Sequence, residues 1–337
     1  MPVTRQPGNT IVRTTYLTLL LISCTFLDLS ALHAQEVLPD NGKGISLGRD
    51  QVQRLMVGIK IKAGGPCTGI FATVPVPMDW PEQRVKIVDE NFSAAVKKTD
   101  FRVLDNGVKQ LLVSIPRLEA GEESEAILTV EISRNAIVEP ADPSVFTVPK
   151  RPPRAIRKFL ASSPFIESTN AKIRTLARKI VADKETAWEQ VRAIYDYVRE
   201  QVEYEESELK GAVATLRDGR GDCEAMTSLF IALCRAAKIP ARMVWVTDHS
   251  YPEFYLVDDE GQGHWFPCQV AGAEAFGSMP ETRPILQKGD NYKVPETKAR
   301  RRYVATQMKA RAVRGRKPTI TVITDFVPID ETLPDEG

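Results

Sequence analysis

Apolar and polar residues alternate with a period of two through residues 35 to about 140. Leu55, Val57, Ile59 and Ile61 stand between Met56, Gly58 and Lys60. The same rhythm returns at Ile70 to Val76, at Leu111, Val113 and Ile115, and at Leu128, Val130 and Ile132. Short runs of this kind predict strands with one buried face. Asp105-Asn106-Gly107, between Phe101–Leu104 and Val108–Leu112, predicts a hairpin turn. The expectation is an antiparallel β-sandwich over 35–140. It holds no cluster of chemistry-bearing side chains, so its expected role is structural or substrate-orienting.

The period then changes. Pro140, Pro143, Pro149, Pro152 and Pro153 crowd a segment that can continue neither sheet nor helix, which predicts a linker over 141–154. Beyond it, Ile173, Leu176, Ile180 and Val181 line one helix face, and Thr186 with Glu189 makes a capping box. Trp188, Val191, Tyr195, Val198 and Val202 recur at spacings of three and four, the mark of a long amphipathic helix whose aromatic residues are core. Ala225 to Cys234 carries no charge at all, so a helix there is buried nearly all round. Arg242–Thr247, His249–Leu256 and His264–Gln269 read as strands. A turn centred near Asp259 sets position 249 opposite 269. The last strand is expected at Thr319–Phe326, and the whole of 155–328 as an α+β domain followed by a frayed acidic tail, 329–337.

The 337 residues are 43% hydrophobic and 26% charged, which permits two domains and an ordinary core. Arg5 and Arg13 precede an uncharged run, Tyr16–Leu27, and then Ser30-Ala31-Leu32-His33-Ala34-Gln35. That predicts a signal peptide over 1–34 and export to the periplasm or beyond. Leu21-Ile22-Ser23-Cys24 offers a minor alternative, a lipoprotein anchored through Cys24. Without residues 1–34 the basic and acidic residues number 43 each, so nothing global points to nucleic acid. Residues 298–317 carry nine basic residues and no acid, including Lys298, Arg300, Arg301 and Arg302. The first reading is a solvated face; the alternative is contact with an anionic envelope polymer or membrane head groups.

Candidate chemistry centres on Gly219-Arg220-Gly221-Asp222-Cys223-Glu224. Asp222 is a good N-cap, and Cys223 falls at the head of the buried helix, where the helix dipole favours a thiolate. A cysteine beside such a turn can equally be an ordinary free thiol. Cys67, Cys234 and Cys268 also survive export; they imply no disulfide framework, and Cys234 reads as a small core residue. Thiol chemistry needs a base, and only His249 and His264 remain to supply one. Two histidines and scattered cysteines lack ligand spacing, so neither metal nor cofactor is expected.

Leu216, Gly221-Asp222-Cys223-Glu224 and the run Leu229 to Arg242, ending Ile239-Pro240-Ala241-Arg242, resemble the transglutaminase-like superfamily. His249-x-Tyr251-x-Glu253-x-Tyr255 is similar to that family's histidine strand, and Gly263 to Pro267 to its Gly-Trp-x-Pro segment. The resemblance spans roughly 155–275 and implies a papain-related α+β fold with Cys223 as nucleophile and His249 as base. The family's triad aspartate is replaced by Gln269. Its side-chain oxygen can still accept from the histidine, expected at Nδ1–H, but supplies no negative charge. The implied activity is acyl transfer on peptide or protein amides, hydrolysis ahead of cross-linking. A degenerate, non-catalytic binding module is the alternative.

Overall fold

In the computed structural model of the chain, residues 42–206, 208–297 and 299–329 are described. The expected signal peptide, Cys24, Lys298 and most of the acidic tail lie outside them. Six strands open the described residues: β1 (Ser46–Lys62), β2 (Cys67–Val76), β3 (Gln83–Phe92), β4 (Lys98–Leu104), β5 (Val108–Leu118) and β6 (Glu123–Val138). The expected turn closes the β4–β5 hairpin: Leu104 pairs with Val108, with Asp105 and Asn106 at positive φ.

Helices follow: α1 (Arg154–Arg157), α2 (Ala171–Val181) and α3 (Ala187–Gln201), the last started by the Thr186–Glu189 capping box. A two-residue strand β7 (Glu203–Tyr204) leads to α4 (Ala212–Asp218), a second short strand β8 (Arg220–Gly221) and α5 (Cys223–Ala236). Next come β9 (Ala241–Val246), β10 (His249–Val257), β11 (Gly263–Gln269), β12 (Ala275–Phe276) and β13 (Ile285–Lys288). They form one sheet in the order β12-β11-β10-β9-β13. The chain ends through β14 (Tyr292–Lys293), β15 (Arg300–Arg301), β16 (Gln307–Ala312) and β17 (Thr319–Val327).

The sandwich forms as the alternation predicts, with sheets β17-β1-β6-β3 and β16-β2-β5-β4. Leu55, Val57, Ile59 and Ile61 from one sheet and Ile70, Val74, Leu111 and Ile115 from the other make its core. Two of its eight strands come from the C-terminus: β17 pairs along β1 from Arg54↔Val327 to Lys62↔Thr319, and β16 pairs with β2. The strand expected at 319–326 therefore exists but belongs to the sandwich, and the α+β domain does not run on to 328. Burial gives the reason. Ile320 and Met308 pack on the sandwich core, where an edge strand covers apolar surface that the first six strands leave open. The proline-rich segment is also not a free linker. Phe146 is 1% exposed inside the helical core, and Thr147 bridges to Val257.

The β9–β13 sheet lies between two packing partners. Met243, Phe254, Leu256 and Phe266 join the core made by α2, α3 and α5, while Val244, Val246, Tyr251 and Ile285 pack with Trp80 and Ile137 of the sandwich. On the sandwich side, Lys288 Nζ bonds Glu82 Oε1 at 2.5 Å and Glu253 Oε1 at 2.6 Å, and Arg242 holds the other Glu253 oxygen at 2.7 Å. Arg134 donates to the Tyr251 hydroxyl at 3.3 Å. Burial alone would push the Glu82 carboxyl up. The charges of Lys288 and Arg134, with the Lys288 hydrogen bond, outweigh it and hold the group at about 2.

Candidate active site

Three elements converge on the head of α5. Gly219 ends α4 in the left-handed region, φ 64°, which only glycine adopts without strain. The chain then runs parallel to β7, Glu203 pairing with Arg220 and Tyr204 with Gly221. A side chain at 221 would put its Cβ 2.7 Å from that of Ala225, so glycine is needed there too. Asp222 caps α5, its carboxylate accepting from the Ala225 N–H at 2.8 Å. Ala225 to Arg235 are all buried, as the uncharged run implies. At the far end Arg235 pairs with Asp290 at 2.7 Å and donates to the Ala241 and Ala161 carbonyls, anchoring the helix to β9.

Cys223 is the first residue of α5 and half-buried, while Cys67, Cys234 and Cys268 are buried free thiols. Against the helix-dipole expectation, burial pushes the Cys223 thiol up. The Ser250 N–H and hydroxyl act to lower it, and Asp222 and Glu224 add to the rise. Thr227 Oγ1 donates to the Ser250 carbonyl at 3.4 Å, tying α5 to the start of β10.

Next to Ser250, His249 follows the tight turn through Asp248, φ 54°. Its Nε2 lies 2.9 Å from Gln269 Oε1. The pairing expected from spacing is thus made, with two corrections. The β10–β11 register runs Glu253↔Pro267 to Val257↔Gly263, which extends to set 251, not 249, opposite 269. Asp258 causes the shift, because its carboxylate accepts from the Glu260 and Gln262 N–H groups and makes a five-residue loop. A shift of two residues preserves the face, so His249 reaches Gln269 diagonally. The ring nitrogen engaged is Nε2 rather than Nδ1, and Nδ1 is the nitrogen that the contact leaves available. Burial pushes His249 down from the ordinary imidazole value, opposed by the Gln269 hydrogen bond; Arg283 lowers it further and Glu281 raises it. Both shifts favour a resting pair of neutral thiol and neutral imidazole.

Gln269 is 3% exposed. Its backbone carbonyl accepts from Arg199 at 2.9 Å, and its side-chain nitrogen donates to Glu281 Oε1 at 2.8 Å. Glu281 Oε2 in turn meets Arg283 Nε at 2.9 Å. Nothing in the sequence marked Glu281, which lies in a loop beyond β12. The other described histidine is elsewhere: His264 Nε2 pairs with Asp258 Oδ2 at 2.9 Å in the hairpin.

The basic run divides. Arg300, Arg301, Lys309, Arg311, Arg314, Arg316 and Lys317 are exposed, as a solvated face requires. Arg302 is not. It is 7% exposed, stacks against Phe165 and Trp245, and pairs with Glu224 at 3.0 Å beside Cys223. Burial lowers its basicity, while Glu224, Asp222, Asp290 and Cys223 oppose that. Two clefts of about 230 and 220 Å³ run along the sandwich, and Cys223 and His249 line neither. Among the described residues no group of three or more His, Cys, Asp or Glu is placed to hold a metal.

Comparison with known proteins supports the fold. Residues 174–270 match the model of the transglutaminase-like superfamily. A crystal structure titled "Putative Cysteine Protease from Cytophaga hutchinsonii" aligns with a TM-score of 0.57 and 18% identity, over 86% of this chain and 94% of that one. A second, titled "putative protease from Parabacteroides distasonis", aligns at 13% identity over 68% of this chain and 48% of that one; its TM-score of 0.27 carries no argument. No curated protein matches the chain.

Proposed function

We propose that the protein is an exported cysteine hydrolase acting on peptide or protein amide bonds through a thioester on Cys223. One observation carries the reading: the helix-head thiol rests against Ser250, and the adjacent His249 has its Nε2 engaged by Gln269. In the proposed cycle His249 Nδ1 takes the Cys223 proton as the sulfur attacks the amide carbon. The backbone N–H of Cys223 stabilises the oxyanion. The imidazolium then protonates the leaving amine, and the thioester remains. Water, deprotonated by His249, cleaves the thioester to a free carboxylate and restores the thiol. The likeness to a structure titled as a cysteine protease supports hydrolysis over cross-linking.

A binding module is the competing reading, favoured by the absence, among the described residues, of a carboxylate in direct contact with His249. An amide and peptide library screened with wild type and Cys223→Ala separates the two. Turnover lost in the variant, with an acyl adduct on Cys223 seen by mass spectrometry of quenched wild type, supports the hydrolase. Equal binding by both proteins and no adduct across the library would leave the binding module.

A further inference from the structure

We infer that Glu281, held in place by the sandwich, is the residue that fixes the tautomer of His249, acting through the side-chain amide of Gln269. The inference rests on the hydrolase reading for its meaning in catalysis, but its geometry stands alone. A glutamine amide can present either end to a neighbour, and so does not by itself decide which ring nitrogen of a histidine is protonated. A carboxylate can only accept. Glu281 Oε1, 2.8 Å from Gln269 Nε2, therefore requires the NH₂ end to face it. The carbonyl end is left for His249 Nε2, 2.9 Å away, which must then donate. Nε2 carries the proton and Nδ1 the lone pair, the tautomer that a general base working from Nδ1 needs. In the family pattern one aspartate does this directly; here an amide and a more distant carboxylate share the task.

The Glu281 segment does not hold itself in place. Met279 and Ile137 exchange backbone hydrogen bonds of 2.8 and 2.9 Å with each other. Gln53 Nε2 donates to the Thr282 carbonyl at 2.6 Å, and the Thr282 hydroxyl bonds Gln51. The Gln83 amide takes both the N–H and the carbonyl of Ile285. Gln51, Gln53, Gln83 and Ile137 all belong to the sandwich, so β1, β3 and β6 together set where the carboxylate sits. This gives the N-terminal strands a task in the site beyond scaffolding.

The test reads the tautomer and needs no substrate. ¹⁵N-histidine NMR of the full chain, above the pH at which His249 deprotonates, distinguishes Nε2–H from Nδ1–H imidazole. His264, paired with Asp258, serves as the internal reference and is assigned through His264→Gln. Wild type should show a single Nε2–H form for His249. Glu281→Leu should convert it to a mixture of both tautomers, as should Glu281→Gln, which keeps the size but can accept or donate. Gln53→Ala, remote from the histidine, should produce a smaller admixture. Where a substrate is in hand, the Glu281 variants should lower kcat by roughly tenfold or more with KM unchanged, within the range that a positioned base supplies. A pure Nε2–H signal in both Glu281 variants would overturn the inference while leaving the hydrolase reading intact. Loss of the tautomer in a protein whose Cys223 forms no acyl adduct would do the reverse.

Discussion

Two buried polar clusters flank the β9–β13 sheet, and they are built on opposite plans. On the sandwich side Glu82, Glu253, Lys288 and Arg242 are charged groups in direct contact, with the Arg134 charge near enough to act on Glu82. At the candidate active site the sequence imidazole, amide, carboxylate puts a neutral amide between His249 and the charge of Glu281, which Arg283 offsets. Opposite charges in contact lock an interface, because neither partner can leave without stranding the other. Neutral groups joined by hydrogen bonds can move a proton at little cost. β10 serves both clusters: Glu253 and Tyr251 bind the sandwich side, and His249 begins the same strand. The interface therefore fixes the strand that carries the proposed base.

The largest expected effect breaks the active-site side alone. Cys223→Ala should abolish turnover, by at least about a thousandfold, while the melting temperature stays almost unchanged. Cys234→Ala should do the reverse, costing about 1 kcal/mol or more through the cavity left at a fully buried site. Differential scanning calorimetry beside a turnover assay reads both, and equal activity in the two variants would remove Cys223 as nucleophile. On the other side, Lys288→Met strands the buried Glu82 carboxylate and leaves Glu253 to Arg242 alone, and should cost about 3–5 kcal/mol. The pH signature follows from the sign of the Glu82 shift. Its carboxyl is held at about 2 when folded, against 4.5 otherwise, so its contribution is complete above about 4.5 and disappears as pH falls towards 2. Lys288→Met should flatten that part of the acid-unfolding curve, and an unchanged curve would show that the network does not act as read.

How much of this was legible in sequence follows the range over which each signal acts. Alternation exposed the strands whose one face is buried, and the Asp222 cap with its uncharged helix exposed Cys223, because both are local. β3 escaped because most of its residues are exposed at a sheet edge, and β13 because Gln287 and Lys288 are as buried as Ile285. Strand pairing between β1 and β17 joins residues more than 250 positions apart, and no local pattern encodes a partner at that distance. The prolines around 143–153 correctly excluded sheet and long helix. They carried no information on whether Phe146 between them would be exposed. Glu281 was invisible for a similar reason: its role exists only once the sandwich holds its loop against Gln269.

A charge moved towards the histidine sharpens the contrast further. Gln269→Asp alone places the new carboxylate beside Glu281, with the linking N–H gone, and like charges so close disfavour ionisation of one of them. The single variant should therefore lose activity. Combined with Glu281→Gln, whose amide can donate to the new aspartate, activity should recover. The imidazole should then titrate about one to three units higher. With neutral His249 as the proposed base, the rising limb of the rate profile should move to higher pH. Rate profiles of the three variants decide this, and a double variant no better than the single would break the coupling between positions 269 and 281.

The smallest effects belong to the basic segment, where neighbouring arginines should behave differently. Arg300 and Arg301 are exposed, and replacing either with alanine should change stability by less than about 0.5 kcal/mol and leave small-substrate turnover alone. Arg302 is buried between Phe165 and Trp245, and its pair with Glu224 ties the last loop to the helix that begins at Cys223. Arg302→Met keeps most of the stacking volume but removes the charge. Glu224 is partly exposed, so water can take over some of its hydrogen bonding and the cost should be about 1 kcal/mol. The sharper readout is Glu224 itself. Burial already raises its carboxyl and Arg302 opposes that rise, so removing the arginine should push it higher still. At mildly acidic pH the variant would then carry one negative charge fewer beside Cys223. Because Glu224 raises the thiol, iodoacetamide should alkylate Cys223 faster in that range, relative to neutral pH, than in wild type. An alkylation profile identical to wild type, or one shifted equally by Arg300→Ala, would return Arg302 to the solvated face with its neighbours.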